Sequence, residues 1–432
     1  MKLLLIYEFI RKNFFNQSAL WMLIFVNLSV SIHATVSDAF FSLPSLQTIL
    51  FHPQDDEFGQ PIVNLHSGTP MLLSFDELDA DTRSLCYSFA HCDAVWNKSD
   101  LMEIDYVDGF NKIYDAEKAE FSFNTKVDYV HYDLTIDTSI LKLSGNYILF
   151  VADAVTNDLL LTRPLLVCEN SVSAATRIVR GKSNEGGIQT LSFSLNTSVL
   201  RITDARQQLK IVVRQNNRWD DMRTTTEPTF IRASEIVYSP SSLFTFEAGN
   251  EARWLDNRDL RYPRQNTESI TYHEPYYHQT LRRDSRPRGY TYYEDFNGGR
   301  HIEAYDVHDD AEIAADYTLT HFCLPSTTDD ADVYIFGQIT DYQLNQRSQM
   351  SYDATTREYT ATLWMKQGLH NYQYITIPKK SKPTYQFYEN NFTDTENDYY
   401  ILIYYRNYSD TYDRLVGFVR HNTLSTPNSF IN

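Results

Sequence analysis

The chain has 432 residues, too many for one ordinary hydrophobic core, and this length predicts about three domains. Its 38 Lys and Arg against 56 Asp and Glu give a net charge of -18, which argues against binding to nucleic acid or to anionic lipid. Four cysteines (Cys86, Cys92, Cys168 and Cys323) are too few for a disulfide framework in so long a chain. Cys86 and Cys92 lie six residues apart on one predicted strand, too far for a direct bridge, so we interpret them as small buried side chains.

Residues 1–34 have the pattern of a secretory signal peptide. Lys2, Arg11 and Lys12 form a basic stretch, an apolar run extends from Ala19 to Ile32, and small residues follow around Ala34. An uncleaved membrane anchor is the alternative, which the shortness of the run disfavours. No later stretch is apolar enough to cross a membrane as a helix, so we expect an exported protein with no membrane span after cleavage.

After this leader, apolar and polar residues alternate in short bursts, which is the pattern of half-buried strands. Tyr, Phe, Val, Thr and Ile suit a pleated sheet, and the 31 Tyr agree with this preference. We therefore predict an all-β fold of tandem immunoglobulin-like or early-set β-sandwich domains. The clearest bursts are MLLSF (Met71 to Phe75), LCYSFAHC (Leu85 to Cys92), HYDLTI (His131 to Ile136) and NYILFV (Asn146 to Val151).

Turn-rich breaks near residues 169–174 and 325–331 part these strands into three groups. We predict an N-terminal β-sandwich domain at 41–170, a middle β domain at 171–325 and a C-terminal early-set-like β-sandwich domain at 326–425.

The middle domain carries a long tract, residues 256–299, that we predict to be irregular. Long loops of this kind are either functional or disordered. Arg282 to Arg288 supplies four arginines in an otherwise acidic protein, at positions 282, 283, 286 and 288. The tract could bind an acidic partner or be a solvated arm, and it is our first candidate for a partner interface.

Two motifs resemble catalytic or metal sites but lack the required spacing. In HEPYYH (His273 to His278) the second His stands at i+5 rather than i+4, and Pro275 is excluded from a helix interior, so a zinc-protease helix is excluded. His91 adjoins Cys92 and Asp93, but neighbours on a strand point to opposite faces and cannot form a catalytic pair.

The remaining acidic pairs also have an ordinary explanation. Asp309 with Asp310, and Asp329 with Asp330, lie in loop-like acidic runs that solvent stabilises. The sequence has no nucleophile elbow, phosphate-binding glycine loop or CxxC pair. We therefore predict no catalytic, cofactor-binding or metal-binding residue, and a protein that is not an enzyme.

Segments spread over about residues 46–420 resemble one family when they are taken in order. They are LSFDELDAD (Leu73 to Asp81), HCDAVWNKSDL (His91 to Leu101), YVDGFN (Tyr106 to Asn111), FSFNTKVDYVHYDLTI (Phe121 to Ile136), VVRQNNRWDD (Val212 to Asp221) and GNEARWLDNRDLRY (Gly249 to Tyr262). Together they resemble the plug protein family of the type IX secretion system. The resemblance implies a non-enzymatic periplasmic protein that occludes the periplasmic side of the outer-membrane translocon barrel in its cargo-free state. It also implies that this barrel is the partner, and that it holds the chain at the outer membrane.

The C-terminal domain is also similar to the early-set modules of glycogen-binding proteins. Where those modules carry a sugar-stacking Trp, this chain has Tyr342, and Trp364 lies in a later strand. A glycan-binding array of β-sandwich modules is therefore the alternative function.

A few local features carry their own expectations. Trp96 is expected to be an apolar anchor under a loop, and Gly109 to take a positive φ in a turn. The turn Glu389 to Asn391 has to tolerate Asn at positive φ. Three arginines at positions 253, 258 and 261 could form an ordered charge network or a mixed solvated edge.

Overall fold

A computed structural model describes residues 39–114, 118–181, 186–232, 234–380 and 386–425. The predicted signal peptide at 1–34 lies outside these residues. Within them the chain is almost entirely β, with strands in six sheets and helices of a single turn, so the predicted all-β class is confirmed. No helix of the described segments combines the length and the apolar character needed to cross a membrane.

The first sandwich packs two sheets, in the strand orders β1-β3-β7-β6 and β2-β9-β8-β4-β5. Their inward-facing residues form one core, in which Phe75 stacks on Tyr132 with ring centroids 5.0 Å apart. One helical turn, α1 (Glu103–Tyr106), lies between β4 and β5. The strands are β1 (Leu46–Pro53), β2 (Ile62–Asn64), β3 (Met71–Leu78), β4 (Leu85–Cys92), β5 (Ile113–Tyr114), β6 (Lys118–Phe121), β7 (Tyr129–Ile136), β8 (Gly145–Asp153) and β9 (Leu159–Cys168).

Every residue of β9 is buried, because the strand is covered on both faces. Leu161 and Leu165 face the first core, whereas Leu166 packs with residues of the second sandwich. A strand covered on both sides reads as a continuous apolar run rather than an alternating one.

The second sandwich also has two sheets, in the orders β10-β11-β15-β14, with β16 on β11, and β13-β12-β27-β28. The helical turn α2 (Ala205–Gln208) precedes β12, and 3-10 turns lie at Trp219–Asp221 and Ser242–Phe244. The strands are β10 (Ser173–Arg180), β11 (Ile188–Asn196), β12 (Leu209–Gln215), β13 (Arg223–Thr225), β14 (Phe230–Ile231), β15 (Glu235–Tyr238), β16 (Thr245–Glu247), β27 (Asp398–Tyr405) and β28 (Arg414–Asn422).

The last two strands return to this sandwich from the C-terminal end of the chain. β27 pairs with β12 along its whole length, so Val212 stands opposite Leu402. The predicted domain boundaries, 171–325 and 326–425, therefore differ from the structure. The second sandwich is discontinuous in the chain, and the third is inserted into it. All eight residues of β27 are buried, and such an uninterrupted apolar strand carries no signal for the core that it joins.

The third sandwich has the strand orders β17-β25-β20, with β22 and β26 also on β25, and β18-β19-β21-β24-β23. The helical turn α3 (Ala311–Ala314) precedes β21, and a 3-10 turn follows β22 at Gln338–Thr340. The strands are β17 (Arg253–Asp256), β18 (Thr267–His273), β19 (Tyr276–Leu281), β20 (Arg300–Ile302), β21 (Tyr317–Pro325), β22 (Ala331–Phe336), β23 (Ser351–Asp353), β24 (Glu358–Lys366), β25 (Gly368–Pro378) and β26 (Gln386–Phe387).

The tract at 256–299 is not irregular throughout, which corrects the prediction. Residues 267–281 form the hairpin β18–β19, and β19 pairs in parallel with β21. β18 is mostly exposed, so its Thr, Tyr and His side chains lack the apolar alternation that marks a strand in the sequence.

The sandwiches contact one another through buried side chains. Between the first and second, Trp96 and Trp219 pack edge to face at 5.5 Å. Between the first and third, Tyr129 packs on Tyr317 at 5.4 Å, and the Lys366 ammonium lies 2.7 Å from an Asp76 carboxylate oxygen.

Several local expectations are confirmed. Cys86, Cys92 and Cys168 are buried and unbridged, and Cys323 is half-buried and unbridged. Gly109 and Asn390 have φ values of 82° and 67°.

Candidate functional site

The two motifs that resembled catalytic sites have structural roles. His273 and Tyr276 face each other at the turn of the β18–β19 hairpin. His91 is buried, with its Nδ1 3.1 Å from the Ser99 hydroxyl and its Nε2 3.1 Å from the Ser144 carbonyl oxygen. Burial raises the pKa of the Cys92 thiol to about 12, so this thiol stays protonated at neutral pH.

The acidic pairs stabilise local structure. The Asp310 carboxylate caps α3 by accepting a hydrogen bond from the Glu312 amide at 3.1 Å. Asp329 accepts from Lys379 at 2.5 Å in an exposed ion pair.

The two aromatic residues considered for sugar stacking are packed. Trp364 packs edge to face against Tyr276 at 5.0 Å. Tyr342 is half-buried, lies 5.7 Å from the Phe336 ring and lines a cavity between the sandwiches. Neither ring forms the open flat platform that glycan stacking uses, so the structure gives the glycan-binding alternative no support.

A small cavity lies where all three sandwiches meet. It is lined by Phe58 and Arg163 of the first, Trp219 of the second, and Phe296 and Tyr342 of the third. Its volume of about 120 Å³ is well below the roughly 300–1,000 Å³ of most small-molecule sites. It is therefore a packing gap at the junction rather than a ligand site.

Buried arginines surround this junction and connect the sandwiches. The Arg163 guanidinium of the first sandwich lies 3.1 Å from the Asp341 carboxylate of the third. Arg214 of the second sandwich stacks on Trp219 at 3.8 Å, and burial lowers the pKa of Arg214 to about 10. A planar guanidinium between aromatic rings keeps its charge while it packs, which suits a seam between domains.

The longest part of the predicted tract without strands is residues 282–299, which we call the strap. Near its start the strap is tied to the third sandwich by Asp284, whose carboxylate accepts hydrogen bonds from Tyr372 at 2.7 Å and Tyr374 at 2.8 Å. The Arg253 guanidinium donates to Asp284 at 2.8 Å and also pairs with Glu389.

Further contacts hold the strap along its length. Asn390 donates to the Pro287 carbonyl oxygen at 2.8 Å, and Tyr290 donates to the Glu251 carboxylate at 2.6 Å. The strap is therefore held against the third sandwich, although most of its residues are exposed to solvent. Of the three arginines at 253, 258 and 261, the first two make charge-paired contacts at low exposure, whereas the third is mostly exposed.

The outer face of the strap displays arginine and tyrosine side chains. Arg282, Arg286 and Arg288 are exposed, and Arg286 lies 4.7 Å from the Tyr388 ring. Tyr292 is also exposed. Arg and Tyr are the residue types that most often carry the affinity of protein interfaces, and here a rigid backbone presents them.

A second exposed surface, which was not predicted from the sequence, lies at one end of the first sandwich. Met102, Ile104 and Phe110 have 72%, 71% and 93% of their surface exposed in the segment between β4 and β5. The segment is ordered, since Asn111 exchanges two hydrogen bonds with the Phe89 backbone. In the sequence this surface corresponds to apolar residues that do not alternate as in a strand, but the sequence could not show which of them stay exposed.

Comparisons with known proteins give the following matches. The model described as the type 9 secretion system plug protein 1st domain matches residues 46–169, which coincide with the first sandwich. A crystal structure of a hypothetical protein from Parabacteroides merdae ATCC 43184 is 30% identical, with a TM-score of 0.83. The alignment covers 88% of this chain and 98% of that one. No curated protein matches the chain.

Proposed function

The chain belongs to the type 9 secretion system plug protein family, and on this premise we propose that it occludes the periplasmic side of the outer-membrane translocon barrel when the barrel carries no cargo. It acts as a non-enzymatic component of protein secretion. The match of the first sandwich to the plug family is the observation that carries this proposal.

The way the sandwiches are joined supports a function by shape. A plug has to keep its form while it is bound, so its domains should not move freely against one another. Here the first and third sandwiches share a buried ion pair between Asp76 and Lys366, and the first and second share the packed Trp96 and Trp219. Interfaces of this kind restrict domain motion, because opening them would separate a buried ion pair and expose large apolar rings to water.

We propose the outer face of the strap as the surface that contacts the barrel. Its arginines stand out in a protein of net charge -18, and the side chain of its Asp284 is held by a buried hydrogen bond from Tyr372. A basic, rigid surface is complementary to an acidic patch on a partner and would speed the encounter with it.

A deletion that removes the start of the strap together with the preceding strand, such as 275–289, would not test this surface, because β19 pairs with both β18 and β21. Charge reversal of exposed side chains leaves the sheet intact. We therefore choose the double variant Arg282→Glu/Arg288→Glu. Its matched control is Arg177→Glu/Arg201→Glu, which makes the same charge change on exposed arginines of the second sandwich.

The first experiment is co-purification of the full chain, tagged at its C-terminus, from the envelope of its own host. We expect the large outer-membrane barrel to be retained by the wild type and by the control, and to be lost or strongly reduced with the strap variant. Equal retention by both variants would reject the strap as the contact surface. Absence of the barrel with the wild type would reject the plug proposal.

The second experiment measures occlusion directly. The purified barrel is placed in lipid vesicles loaded with a fluorescent polymer, and release is followed with and without the chain. We expect the chain to slow release through the barrel and to have no effect on vesicles that lack it. Unchanged release, with binding established, would show that the chain is a partner of the barrel but not its plug.

A further inference from the structure

Three side chains of metal-ligand type meet at the seam between the first and third sandwiches. His131 and Asp133 are two residues apart on β7 and so share one face, and Glu312 comes from α3. The His131 Nε2 lies 3.3 Å from an Asp133 carboxylate oxygen and 3.5 Å from a Glu312 carboxylate oxygen. The three atoms all lie within 4.8 Å of one another.

Two of these atoms are buried without a hydrogen bond. His131 is only 5% exposed. Among the residues that the structure describes, neither its Nε2 nor the Asp133 Oδ1 has a hydrogen-bond partner. A buried polar atom without a partner costs free energy, so a native structure that keeps two side by side calls for a group that satisfies both.

The other ring nitrogen of His131 sets the tautomer. Its Nδ1 lies 2.6 Å from an Asp76 carboxylate oxygen, and a carboxylate can only accept, so Nδ1 carries the proton. In the neutral ring Nε2 then presents its lone pair toward Asp133 and Glu312. A histidine that donates from one nitrogen to a carboxylate while the other faces further ligands is the usual arrangement at a metal site.

The two distances from the His131 Nε2 also fit one ion. Zinc binds nitrogen and oxygen ligands at about 2.0–2.2 Å, and tetrahedral geometry then places neighbouring ligand atoms about 3.4 Å apart. The observed 3.3 and 3.5 Å agree with this spacing. Calcium and magnesium prefer ligand sets made only of oxygen, so the imidazole favours a transition metal.

We propose that His131, Asp133 and Glu312 bind one divalent transition-metal ion, for which zinc is the best candidate, and that the ion links the first sandwich to the third. The fourth position is left to water. The Glu312 side chain is 45% exposed, so an ion can reach the site from solvent.

A proton competes with a metal ion for the His131 Nε2. The Asp133 and Glu312 carboxylate oxygens lie 3.3 Å and 3.5 Å from this nitrogen, so they stabilise a positive charge beside it. Lys118, which stands opposite Asp133 in the β6–β7 ladder, adds an exposed ammonium nearby. The carboxylates therefore favour a positive charge at this point, and a metal ion would supply it in place of the proton.

The test uses the full chain after treatment with EDTA. Zinc binding is measured by calorimetry, and cobalt, which replaces zinc and absorbs visible light, reports tetrahedral coordination. The variants are Glu312→Gln and Asp133→Asn, which keep side-chain size, whereas His131 is left unchanged because it supports the buried Asp76. Glu294→Gln, on the exposed part of the strap, is the matched control.

We expect one zinc per chain, a visible cobalt spectrum, and a higher melting temperature with zinc. Glu312→Gln and Asp133→Asn should each weaken zinc affinity at least about tenfold. Both should also abolish the rise in melting temperature that zinc causes. In EDTA, Glu312→Gln should melt at the same temperature as the wild type. Glu294→Gln should behave as wild type. Failure of the EDTA-treated wild type to bind zinc would overturn the proposal. Unchanged zinc affinity in both site variants would also overturn it, because the ion would then bind elsewhere, such as at the stacked His278 and His321.

Discussion

Replacing Lys366 with Met should destabilise the protein through the buried ion pair that joins the first and third sandwiches. The Lys366 ammonium lies 2.7 Å from the Asp76 carboxylate, and each side chain is only 1% exposed. Burial acts to raise the pKa of Asp76, but Lys366 and His131 outweigh it and lower this pKa, so the carboxylate is charged when the chain is folded. Methionine fills similar space but leaves that charge without its cation.

The size of the effect follows from what remains around Asp76. Removal of one partner from a buried pair typically costs about 3–5 kcal/mol. Asp76 keeps hydrogen bonds from His131 and Tyr317, so we expect the lower end, about 3 kcal/mol in the free energy of unfolding. The double variant Asp76→Asn/Lys366→Met removes both charges and should lose less stability than the sum of the two single variants.

Urea unfolding, followed by tryptophan fluorescence and far-UV circular dichroism in the presence of EDTA, measures the effect. Lys379→Met is the matched control, since its ion pair with Asp329 is 2.5 Å long but its two side chains are 38% and 44% exposed. We expect that control to change stability by less than about 1 kcal/mol. A loss below about 1 kcal/mol for Lys366→Met as well would refute the reasoning that burial makes this pair important.

Two further predictions concern the seam between the first and second sandwiches and the acid stability of the third. Trp96→Ala removes a ring that is 1% exposed and packs on Trp219, and should cost about 3–5 kcal/mol in urea unfolding; a loss under about 1 kcal/mol would show that the seam can collapse around the gap. Burial lowers the pKa of His370 to about 3, so the ring stays neutral in the folded chain while the unfolded chain takes up a proton below about pH 6.5. This contribution to stability is present above pH 6.5 and is lost as pH falls, by about 2 kcal/mol at pH 5. The melting temperature should therefore fall less between pH 7 and 5 in His370→Asn than in the wild type. An equal fall in both proteins would contradict the prediction.

Much of the secondary structure could be read from the sequence, because strand alternation is local. The four bursts at Met71 to Phe75, Leu85 to Cys92, His131 to Ile136 and Asn146 to Val151 lie within β3, β4, β7 and β8. Turn conformations could be predicted for the same reason. Asn390 takes its positive φ because that preference depends on the residue and its neighbours alone.

The candidate surfaces were only partly accessible from the sequence. The arginines of the strap were visible as a charge anomaly, but its order depends on Asp284, whose partners Tyr372 and Tyr374 come from a distant strand. In the same way, the spacing of His131 and Asp133 was a signal for two ligands on one face, but nothing in the sequence pointed to Glu312 as the third.

By itself the sequence determined the all-β class, four strands of the first sandwich and the family resemblance, since each depends on patterns within short segments. Only the tertiary structure decided that β27 pairs with β12, that the third sandwich is inserted into the second, and that Lys366 meets Asp76. The physical reason is that a fully apolar strand can be buried in any core, so its partner is chosen by the packing of the whole chain and not by its own residues.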